Sequence, residues 1–584
     1  MNTNQSKSND RSGQLLKIGR RLFLAGVIAS TFGCQNVVRR GQSTDEPINV
    51  GKYENSIFKP GPRQIGEISS FFGLDSVKVY GIGLATDLQG TGSAPIESGA
   101  REHLQRELRL TNSVANVKEL MTDKNTEMVI IEGRIPPGAR AGDRFDLQAV
   151  TMAESEGSSL EGGIILKSRL RKMAKLGNSV KKGSVSATGS GPLIIKSLVS
   201  DTDEREDALH AVIPAGGKAL TDRALGIQLR DKTYNQKTAL QITQAINKRF
   251  RYRTSLGHDG VSEPKTDREI QLKVPQVYRN NVGRYASVLN QLFFSESNSQ
   301  LQERLASLEV NIGDPARSGL AAMQLEAIGD KAKPALQAAL KHRDLEVRFH
   351  AAEALAYMGV ADGISELVAA AKAEKSYRWH AFAALAAMES RESANVLSEF
   401  FNQPEIELRY GAFKAIRQQN EDDPIVVGDF LVDQFFLHEV DSTAEPTVHF
   451  STHQRPEIVI FGSKAALNDK FIFVESGLTI KGENNGTLSL TAYSTEFIKQ
   501  QRSCSVHVAD LVRTLAELGY GFSSQLKIIR QASQGGFLNA EFAINAAPKI
   551  DLSRRKSQRV ASDFEDFKTE SFASQLINLV TPKK

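Results

Sequence analysis

Few residues of the sequence have the types and spacing that enzyme chemistry or metal binding requires. His449 and His453 are four residues apart, but "HFSTH" lies in strand and loop text, with neither a cysteine nor a third ligand nearby. Gly81 and Gly83 begin a motif like a dinucleotide-binding turn, but the third glycine before a helix and the acid after a second strand are missing. Nucleophile-elbow, Cys–His–Asn and paired-carboxylate signatures are also missing. The sequence therefore predicts a protein that is not an enzyme, with no catalytic, cofactor-binding or metal-binding residue and no cofactor.

Cys34 is the residue whose surroundings indicate a modification. A polar, basic leader containing Arg20 and Arg21 precedes "LFLAGVIASTFG", an apolar run too short to span a bilayer, and Cys34 follows. This layout is typical of a secretory signal peptide. "TFGC" resembles a lipoprotein processing box, and the paired arginines loosely resemble a twin-arginine export signal. We predict that the chain is exported and that Cys34 is lipidated, which leaves Cys504 as a free cysteine. The alternative is a plain signal peptide that is cleaved a few residues earlier.

Length and charge limit the classes of partner. A chain of 584 residues is long enough for about four domains of ~150 residues each. Its 73 Lys and Arg nearly balance 68 Asp and Glu, so the net charge of +5 gives no general nucleic-acid signature. We therefore predict no nucleic-acid partner.

One local run of basic residues stands out from this balance. It contains no interleaved aromatic residue, which argues against a groove for single-stranded nucleic acid. The run is either a solvated face or a contact patch for an acidic cell-wall polymer, lipid head groups or an acidic protein. Its members are Lys167, Arg169, Arg171, Lys172, Lys175, Lys181 and Lys182.

A long, charged corner separates two strand-like runs in "IIEGRIPPGARAGDRFDLQAV", residues 130–150. The two prolines stop strand pairing, and the glycines supply backbone freedom for a wide turn. Such a corner either meets a neighbouring protomer or forms a solvated, pre-shaped hairpin loop. The candidate interface residues are Pro136, Pro137, Arg140, Asp143, Arg144 and Asp146.

The elements that position these residues change character along the chain. Residues 64–200 alternate short β-rich runs with Gly-rich corners, and Ala100, Leu104 and Leu108 mark one apolar helix face among them. Residues 225–295 read as strand, helix, strand and helix, an α+β order. Near residue 310 strands vanish and alanine becomes dense, and β character returns after residue 426.

A repeat runs through the alanine-dense region, where four arginines, Arg317, Arg348, Arg378 and Arg409, are 31, 30 and 31 residues apart. An acid stands four residues before each of the last three, the favourable order for an i,i+4 pair. The spacing resembles a run of HEAT-like helical hairpins. We predict that the arginines are structural and tie hairpins together through these acids; the alternative is that they line a binding groove.

The β segments, in their order, resemble the flagellar P-ring protein family. The corner matches its Pro-Pro-x-x-x-x-Gly-x-x-x-Asp element, and "SSLEGGIILKSRL" matches the hairpin that follows it. "ALQITQAIN", "IQLKVP", "LVRTLAELG" and "GGFLNAEF" also fall in family order. The resemblance covers residues 64–296 and 446–546, whereas the helical repeats lie between them, where ordinary members have no such domain.

The resemblance implies a structural subunit of the flagellar basal-body P ring, a periplasmic, peptidoglycan-associated bushing around the rod. The implied partners are further copies of the chain, the flagellar rod and other ring proteins, and peptidoglycan. A membrane would be a further partner, bound through the lipid on Cys34. The repeats would bind an unknown protein. The alternative is a lipid-anchored envelope scaffold or adaptor that binds a protein through its HEAT-like repeats and has no flagellar role.

The predicted fold class is α+β and multidomain, with β-rich P-ring-like domains split by an all-α HEAT-like solenoid. The predicted parts are a lipoprotein-like signal peptide (1–34), a flexible tether (35–62), a β-rich P-ring-like domain (63–210), an α+β P-ring-like domain (211–296), HEAT-like repeats (297–425), a C-terminal P-ring-like α+β part (426–550) and a charged, disordered tail (551–584).

Overall fold

The structure is a computed structural model, and it describes residues 63–111, 116–176, 179–200, 205–254, 257–475, 477–483, 485–493 and 499–550. The predicted signal peptide with Cys34, the tether and the tail lie outside the described residues. Within the described ranges, no helix combines the length and the apolar character needed to cross a membrane.

The first part of the chain is mainly β-structure. Its strands are β1 (Arg63–Gln64), β2 (Ser69–Phe72), β3 (Val77–Thr86), β4 (Glu127–Ile135), β5 (Arg144–Thr151), β6 (Ile164–Leu176), β7 (Ser179–Pro192), β8 (Ile194–Ile195), β9 (His210–Ala219), β10 (Leu225–Leu229), β11 (Arg251–Thr254), β12 (Gly257–Gly260), β13 (Ser262–Pro264), β14 (Glu269–Leu272) and β15 (Phe293–Ser295). Its helices are α1 (Ile65–Ile68), α2 (Gly99–Thr111), α3 (Val117–Leu120), α4 (Arg205–Ala208), α5 (Gln236–Arg249) and α6 (Val282–Asn290).

Six of these strands form an antiparallel sheet that closes on itself. Their order is β5-β4-β3-β6-β7-β9, and β5 pairs with β9 as well as with β4. The short strand β8, like β7, pairs antiparallel with β9. Alternate residues of β5 are buried, as expected for a strand with one face towards a core. Val79, Val129, Leu147, Leu170 and Ile213 are among the fully buried residues of that core.

Helix α2 packs on the outside of the closed sheet. Ala100, Leu104 and Leu108 are all buried, and they pack against Ile82 and Leu84 of β3. The predicted apolar face of this helix is confirmed.

A smaller α+β unit follows, with the strand order β13-β14-β10-β2. Asn235 and Asn281 cap α5 and α6 by accepting hydrogen bonds from backbone N–H groups of the first turn. Ile227, Ile242 and Tyr285 are fully buried in the core between sheet and helices.

Eight helices form the alanine-dense middle part within the described residues, with Ser297 making a capping box at the first of them. The Arg-bearing helices α8, α10, α12 and α14 pack against one another in sequence order. Buried alanines such as Ala351, Ala381 and Ala412 allow their close approach. The helices are α7 (Asn298–Ile312), α8 (Pro315–Ile328), α9 (Lys333–Ala339), α10 (Leu345–Tyr357), α11 (Ile364–Ala373), α12 (Lys375–Ala387), α13 (Arg391–Glu399) and α14 (Ile406–Gln419).

The described residues of the C-terminal part form two sheets and two helices. One sheet is mixed, in the order β16-β17-β19-β18-β24, and the other is the antiparallel meander β20-β21-β22-β23. The elements are β16 (Asp429–Leu431), β17 (Phe435–Val440), β18 (Thr447–Ser451), β19 (Glu457–Phe461), β20 (Ile472–Glu475), β21 (Leu478–Glu483), β22 (Thr487–Ala492), β23 (Gln500–Ser505), α15 (Val508–Glu517), α16 (Phe522–Gln534) and β24 (Glu541–Ile544).

Helix α16 joins the C-terminal part to the closed sheet, although more than 300 residues separate them in sequence. The Ser523 hydroxyl donates a hydrogen bond of 2.7 Å to the carbonyl of Leu193, and Arg530 donates bonds of 2.8 Å to the carbonyls of Ser197 and Ser200. Buried residues of both parts share one hydrophobic cluster. Two distant stretches of chain therefore form one core.

The predicted fold class, β-rich α+β parts divided by an all-α repeat region, is confirmed. The units are divided differently from the predicted ranges. β9 carries the closed sheet to Ala219, beyond residue 210, whereas β2 pairs with β10 and so belongs to the second unit. Strand pairing between distant residues decides both boundaries.

Candidate functional site

The charged corner between β4 and β5 has the backbone shape expected from its glycines. Gly138 and Gly142 have φ angles of 69° and 95°, in the left-handed region that glycine favours. Pro136 is exposed and Pro137 is half-buried where β4 ends. The corner is thus a pre-shaped turn rather than a continuation of the sheet.

On one side, the corner binds the second α+β unit. The Arg140 guanidinium donates a hydrogen bond of 3.2 Å to the carbonyl of Val274. Asp143 forms an ion pair of 2.9 Å with Arg279 and accepts a hydrogen bond from the backbone N–H of Arg140. These contacts fix the orientation of that unit against the closed sheet.

On the other side, the corner binds the C-terminal part. Oδ1 of Asp146 accepts hydrogen bonds from the backbone N–H groups of Ala215 (2.9 Å) and Gln454 (2.8 Å). The ring of His453 lies 3.5 Å from the same carboxylate, and Arg144 donates to the carbonyl of Ala215. The charged residues of the corner thus make contacts within the chain, at a junction of three parts, and the prediction of an interface with a neighbouring protomer stays a prediction.

The basic run lies on the hairpin of β6 and β7. Glu107 of α2 forms ion pairs with Arg169 (2.5 Å) and Arg171 (3.7 Å). Burial acts to raise the pKa of Glu107, but the two arginines and His103 outweigh it and lower this pKa below its usual value. Lys167 and Lys172 are exposed. The side chains of Lys175, Lys181 and Lys182 lie outside the residues that the structure describes.

The two central repeat arginines pair with acids, one within its own hairpin and one in the next repeat, but neither with the acid four residues before it. Arg348 pairs with Glu366 at 2.7 Å, and Arg378 pairs with Glu405 and Glu407 of the next repeat at 2.5 and 2.6 Å. The prediction of i,i+4 pairs was wrong, because the acids four residues earlier occupy the N-cap positions of α10, α12 and α14.

The first and last repeat arginines differ from the two central ones. Arg317 is 70% exposed and lies 3.4 Å from Asp314, so it contributes little to packing. Arg409 is buried and donates hydrogen bonds to the carbonyls of Glu445 (2.8 Å) and Pro404 (3.0 Å). The repeat therefore ends by binding the C-terminal sheet.

A buried ionic cluster, which sequence analysis missed, fixes the solenoid to the second unit. Arg284 of α6 pairs with Glu326 of α8 at 2.6 Å and with Glu353 of α10 at 2.7 Å, and all three side chains are buried. The Tyr278 hydroxyl donates a 2.6 Å hydrogen bond to Glu326, and the Arg284 guanidinium lies 4.4 Å from the ring centre of Tyr357. We call these residues the first joint.

A second buried cluster fixes the other end of the solenoid to the C-terminal sheet. Glu457, at the start of β19, forms an ion pair with Arg417 of α14 and accepts a 2.7 Å hydrogen bond from the Tyr410 hydroxyl. The ring of His438 lies 3.6 Å from the same carboxylate, and the ring of His449 lies 3.7 Å from that of Tyr410. We call these residues the second joint.

Gly83 and His449, from the two motifs that could have indicated chemistry, have packing roles in the structure. Gly83 lies inside β3, where an added Cβ would come within 2.5 Å of the Ile131 side chain. His449 is buried and accepts a hydrogen bond from the backbone N–H of Ala546, whereas His453 is on the surface. Among the described residues, no group of three or more His, Cys, Asp or Glu side chains could hold a metal.

Residues 64–301 match the sequence model of the flagellar P-ring protein family. Residues 311–377 match that of HEAT repeats. The predicted resemblances of these two regions are confirmed, whereas the resemblance of residues 446–546 to the P-ring family stays a prediction. We call residues 64–301 the P-ring region; it contains the closed sheet, the corner and Arg284 of the first joint.

Curated relatives named flagellar P-ring protein align with part of the chain. The protein of Helicobacter acinonychis is 29% identical over 220 residues, which are 36% of this chain and 57% of the relative. That of Geobacter metallireducens is 24% identical over 241 residues, 39% of this chain and 60% of the relative. That of Campylobacter jejuni is 25% identical over 237 residues, 39% of this chain and 62% of the relative. The chain thus spans about three fifths of the length of these relatives.

The second joint lies outside the P-ring region and contains a buried histidine, His438. We therefore expect the stability of the folded chain to fall in acid. Burial, together with Arg417 and Arg455, lowers the pKa of His438 from 6.5 to about 4. The unfolded chain therefore binds a proton that the folded chain excludes, so stability is complete above pH ~6.5 and declines as the pH falls towards ~4. Between about pH 7 and pH 5, His438 alone should reduce the free energy of unfolding by about 2 kcal/mol.

Urea unfolding at both pH values checks this prediction, with His438→Phe as the test variant. The variant should lose less stability on acidification than the unchanged chain, because it has no proton to bind at this position. His453→Phe, which alters a histidine that is 61% exposed, is the matched control for the loss of an imidazole ring. An equal loss in His438→Phe and the unchanged chain would contradict the assignment.

Proposed function

We propose that the chain is a structural subunit of the flagellar basal-body P ring. The observation that carries the proposal is the match of residues 64–301 to the P-ring family, in a region whose closed sheet shares its core with the C-terminal part. The function proposed for the whole chain extends beyond the matched region.

The architecture supports a mechanical role. A closed sheet has no free strand edge, so it resists both bending and unplanned pairing. The corner binds the neighbouring parts through partly exposed hydrogen bonds and one ion pair. The two joints hold the solenoid to the second unit and to the C-terminal sheet through buried ion pairs. A subunit of this kind could form a ring through head-to-tail contacts that close on rotation.

The proposal includes a location and partners. The subunit would be exported to the periplasm, would be anchored in a membrane by lipid on Cys34, and would surround the flagellar rod as a homo-oligomer. Its partners would be the rod, other ring proteins and peptidoglycan. Exposed Lys167 and Lys172 supply positive charge that would favour contact with an acidic cell-wall polymer.

Deletion of the gene tests the proposal. We expect cells without the chain to lose the rod-centred P ring in electron microscopy of basal bodies and to lose swimming, because the bushing is missing. The full-length chain, supplied in trans, should restore both. Intact P rings and normal swimming in the deletion strain would overturn the proposal.

A second candidate function is a lipid-anchored envelope adaptor without a flagellar role. The match of residues 311–377 to HEAT repeats favours it, because stacked helical repeats form extended surfaces that commonly bind proteins. In this case the repeats would bind an envelope protein, and the deletion strain would keep its P rings and its motility.

A further inference from the structure

The five-stranded C-terminal sheet has two edges of complementary character. β16 forms one edge and β24 the other. With strands about 4.8 Å apart, the four spacings between them amount to ~19 Å. Features at the two edges therefore lie on opposite sides of the same rigid sheet.

An apolar projection lies at the β16 edge. Val427 is 56% exposed and Phe430 is 52% exposed, although both are large apolar side chains. The projection is held in shape, because the ring of Phe430 lies 4.7 Å from that of Phe436, which is covered by the guanidinium of Arg455 at 3.4 Å. We call residues 427–433 the β16 knob.

A cleft of about 790 Å³ lies beyond the β24 edge, where α12 and α14 begin. It is a shallow depression that is open to solvent along most of its extent. Apolar side chains supply much of its lining: Pro404, Ile406, Ala546, Ala547 and Ile550. We call it the β24 cleft.

The charges around knob and cleft are opposite. The knob carries exposed Asp429 and Asp433 beside Glu439, and Arg513 neutralises only part of this charge by pairing with Asp429 and Glu439. The cleft is lined by two exposed lysines, Lys375 and Lys549.

The acids that also line the cleft are paired with buried arginines. Arg378 binds Glu405 and Glu407, and Arg409 lies 3.6 Å from Glu541. The two arginines offset two of these three acidic charges, so the two exposed lysines leave the cleft with a small excess of positive charge. An acidic segment would be attracted to this excess, because charge complementarity selects partners and steers their approach.

We propose that the β16 knob of one copy of this chain enters the β24 cleft of the next copy. Because knob and cleft lie at opposite edges, the contact is heterologous, the type that generates rings when the rotation closes. The inference rests on the proposed function, since it names the contact that builds the ring.

Disulfide cross-linking between full-length chains tests this contact. In a Cys504→Ser background, Phe430→Cys and Ala547→Cys are placed on two differently tagged copies expressed in the same cells. A second pair, Val427→Cys with Ala547→Cys, guards against a local defect at Phe430. Leu320→Cys, at an exposed apolar position of α8, replaces the knob variant in the matched control. Basal bodies from the same strains are imaged for P rings.

We expect mixed-tag disulfide dimers from both knob-and-cleft pairs, and none from either single variant or from the Leu320 control. P rings without mixed-tag dimers would overturn the inference and leave the proposed function standing. Mixed-tag dimers in cells without P rings would support the contact and overturn the proposed function. Absence of both dimers and rings would overturn both.

Discussion

Arg284→Ala should lower the free energy of unfolding by about 3–5 kcal/mol, because it leaves two buried carboxylates without their shared cation. Arg284 contacts Glu326 at 2.6 Å and Glu353 at 2.7 Å, and neither acid is more than 6% exposed. The loss should appear first as faster hydrogen exchange in α8 and α10, because these helices would separate from the P-ring region. Urea unfolding and exchange followed by mass spectrometry measure the two effects.

Arg279→Ala is the matched control for this prediction. Arg279 lies in the same segment and also forms an ion pair, with Asp143 at 2.9 Å, but its side chain is 46% exposed. Removing such a surface pair should cost less than about 1 kcal/mol. Arg284→Met combined with Glu326→Gln and Glu353→Gln should recover part of the loss, since no buried charge is left alone. Equal effects of Arg279→Ala and Arg284→Ala would show that the first joint does not hold the solenoid.

Local pattern was sufficient to predict the elements of this protein. The spacing of Ala100, Leu104 and Leu108 places one face of α2 against the sheet, and these three residues are buried as the spacing indicates. The 30- and 31-residue spacing of the arginines identified the stacked helices in the same way. Both signals arise within one helix or between neighbouring hairpins, so they are readable along the chain.

Partner choice could not be predicted, because it depends on distant residues. The acids before Arg348 and Arg378 were expected to pair with them, but each helix begins one residue after its acid, which places the acid at the N-cap. Arg378 is left to reach Glu405 in the next repeat. The spacing along one helix therefore does not indicate which acid each arginine binds.

The two joints had only a weak signal in the sequence. Glu326 and Glu353 stand inside apolar, alanine-dense runs, "AAMQLEAI" and "HAAEALAY", where an acid on the buried face needs a buried partner. The sequence does not indicate that this partner is Arg284. The closure of the sheet by β5 and β9 is hidden for the same reason, since the paired residues are 60 or more positions apart.

The joints change the interpretation of the repeat region. Read from the sequence, the solenoid is a guest inserted between two P-ring-like stretches. In the structure, α8 and α10 are tied to the P-ring region through Arg284, and α14 is tied to the C-terminal sheet through Glu457. The solenoid is therefore packed into the same rigid unit as the two flanking parts. A substitution at either end of the solenoid should lower the stability of the whole unit.

Glu457→Ala should cost about 3–5 kcal/mol, because it leaves the buried Arg417 without its counter-ion. The Glu457 side chain is fully buried, and the variant also removes the acceptor for the Tyr410 hydroxyl, which lies 2.7 Å from it. We expect α14 to detach from the C-terminal sheet before the closed sheet unfolds, because the shared core of the closed sheet does not include this carboxylate. Urea unfolding and limited proteolysis near residue 420 measure the loss.

Glu439→Ala provides the matched control on the neighbouring strand, since Glu439 also pairs with an arginine, Arg513, but is 47% exposed. Its replacement should cost less than about 1 kcal/mol. Replacing the buried pair together, by Arg417→Met with Glu457→Leu, should recover most of the loss, because the variant leaves neither charge unpaired. If Glu457→Ala were no more costly than Glu439→Ala, the second joint would not hold α14, and the solenoid would be a guest fixed at one end only.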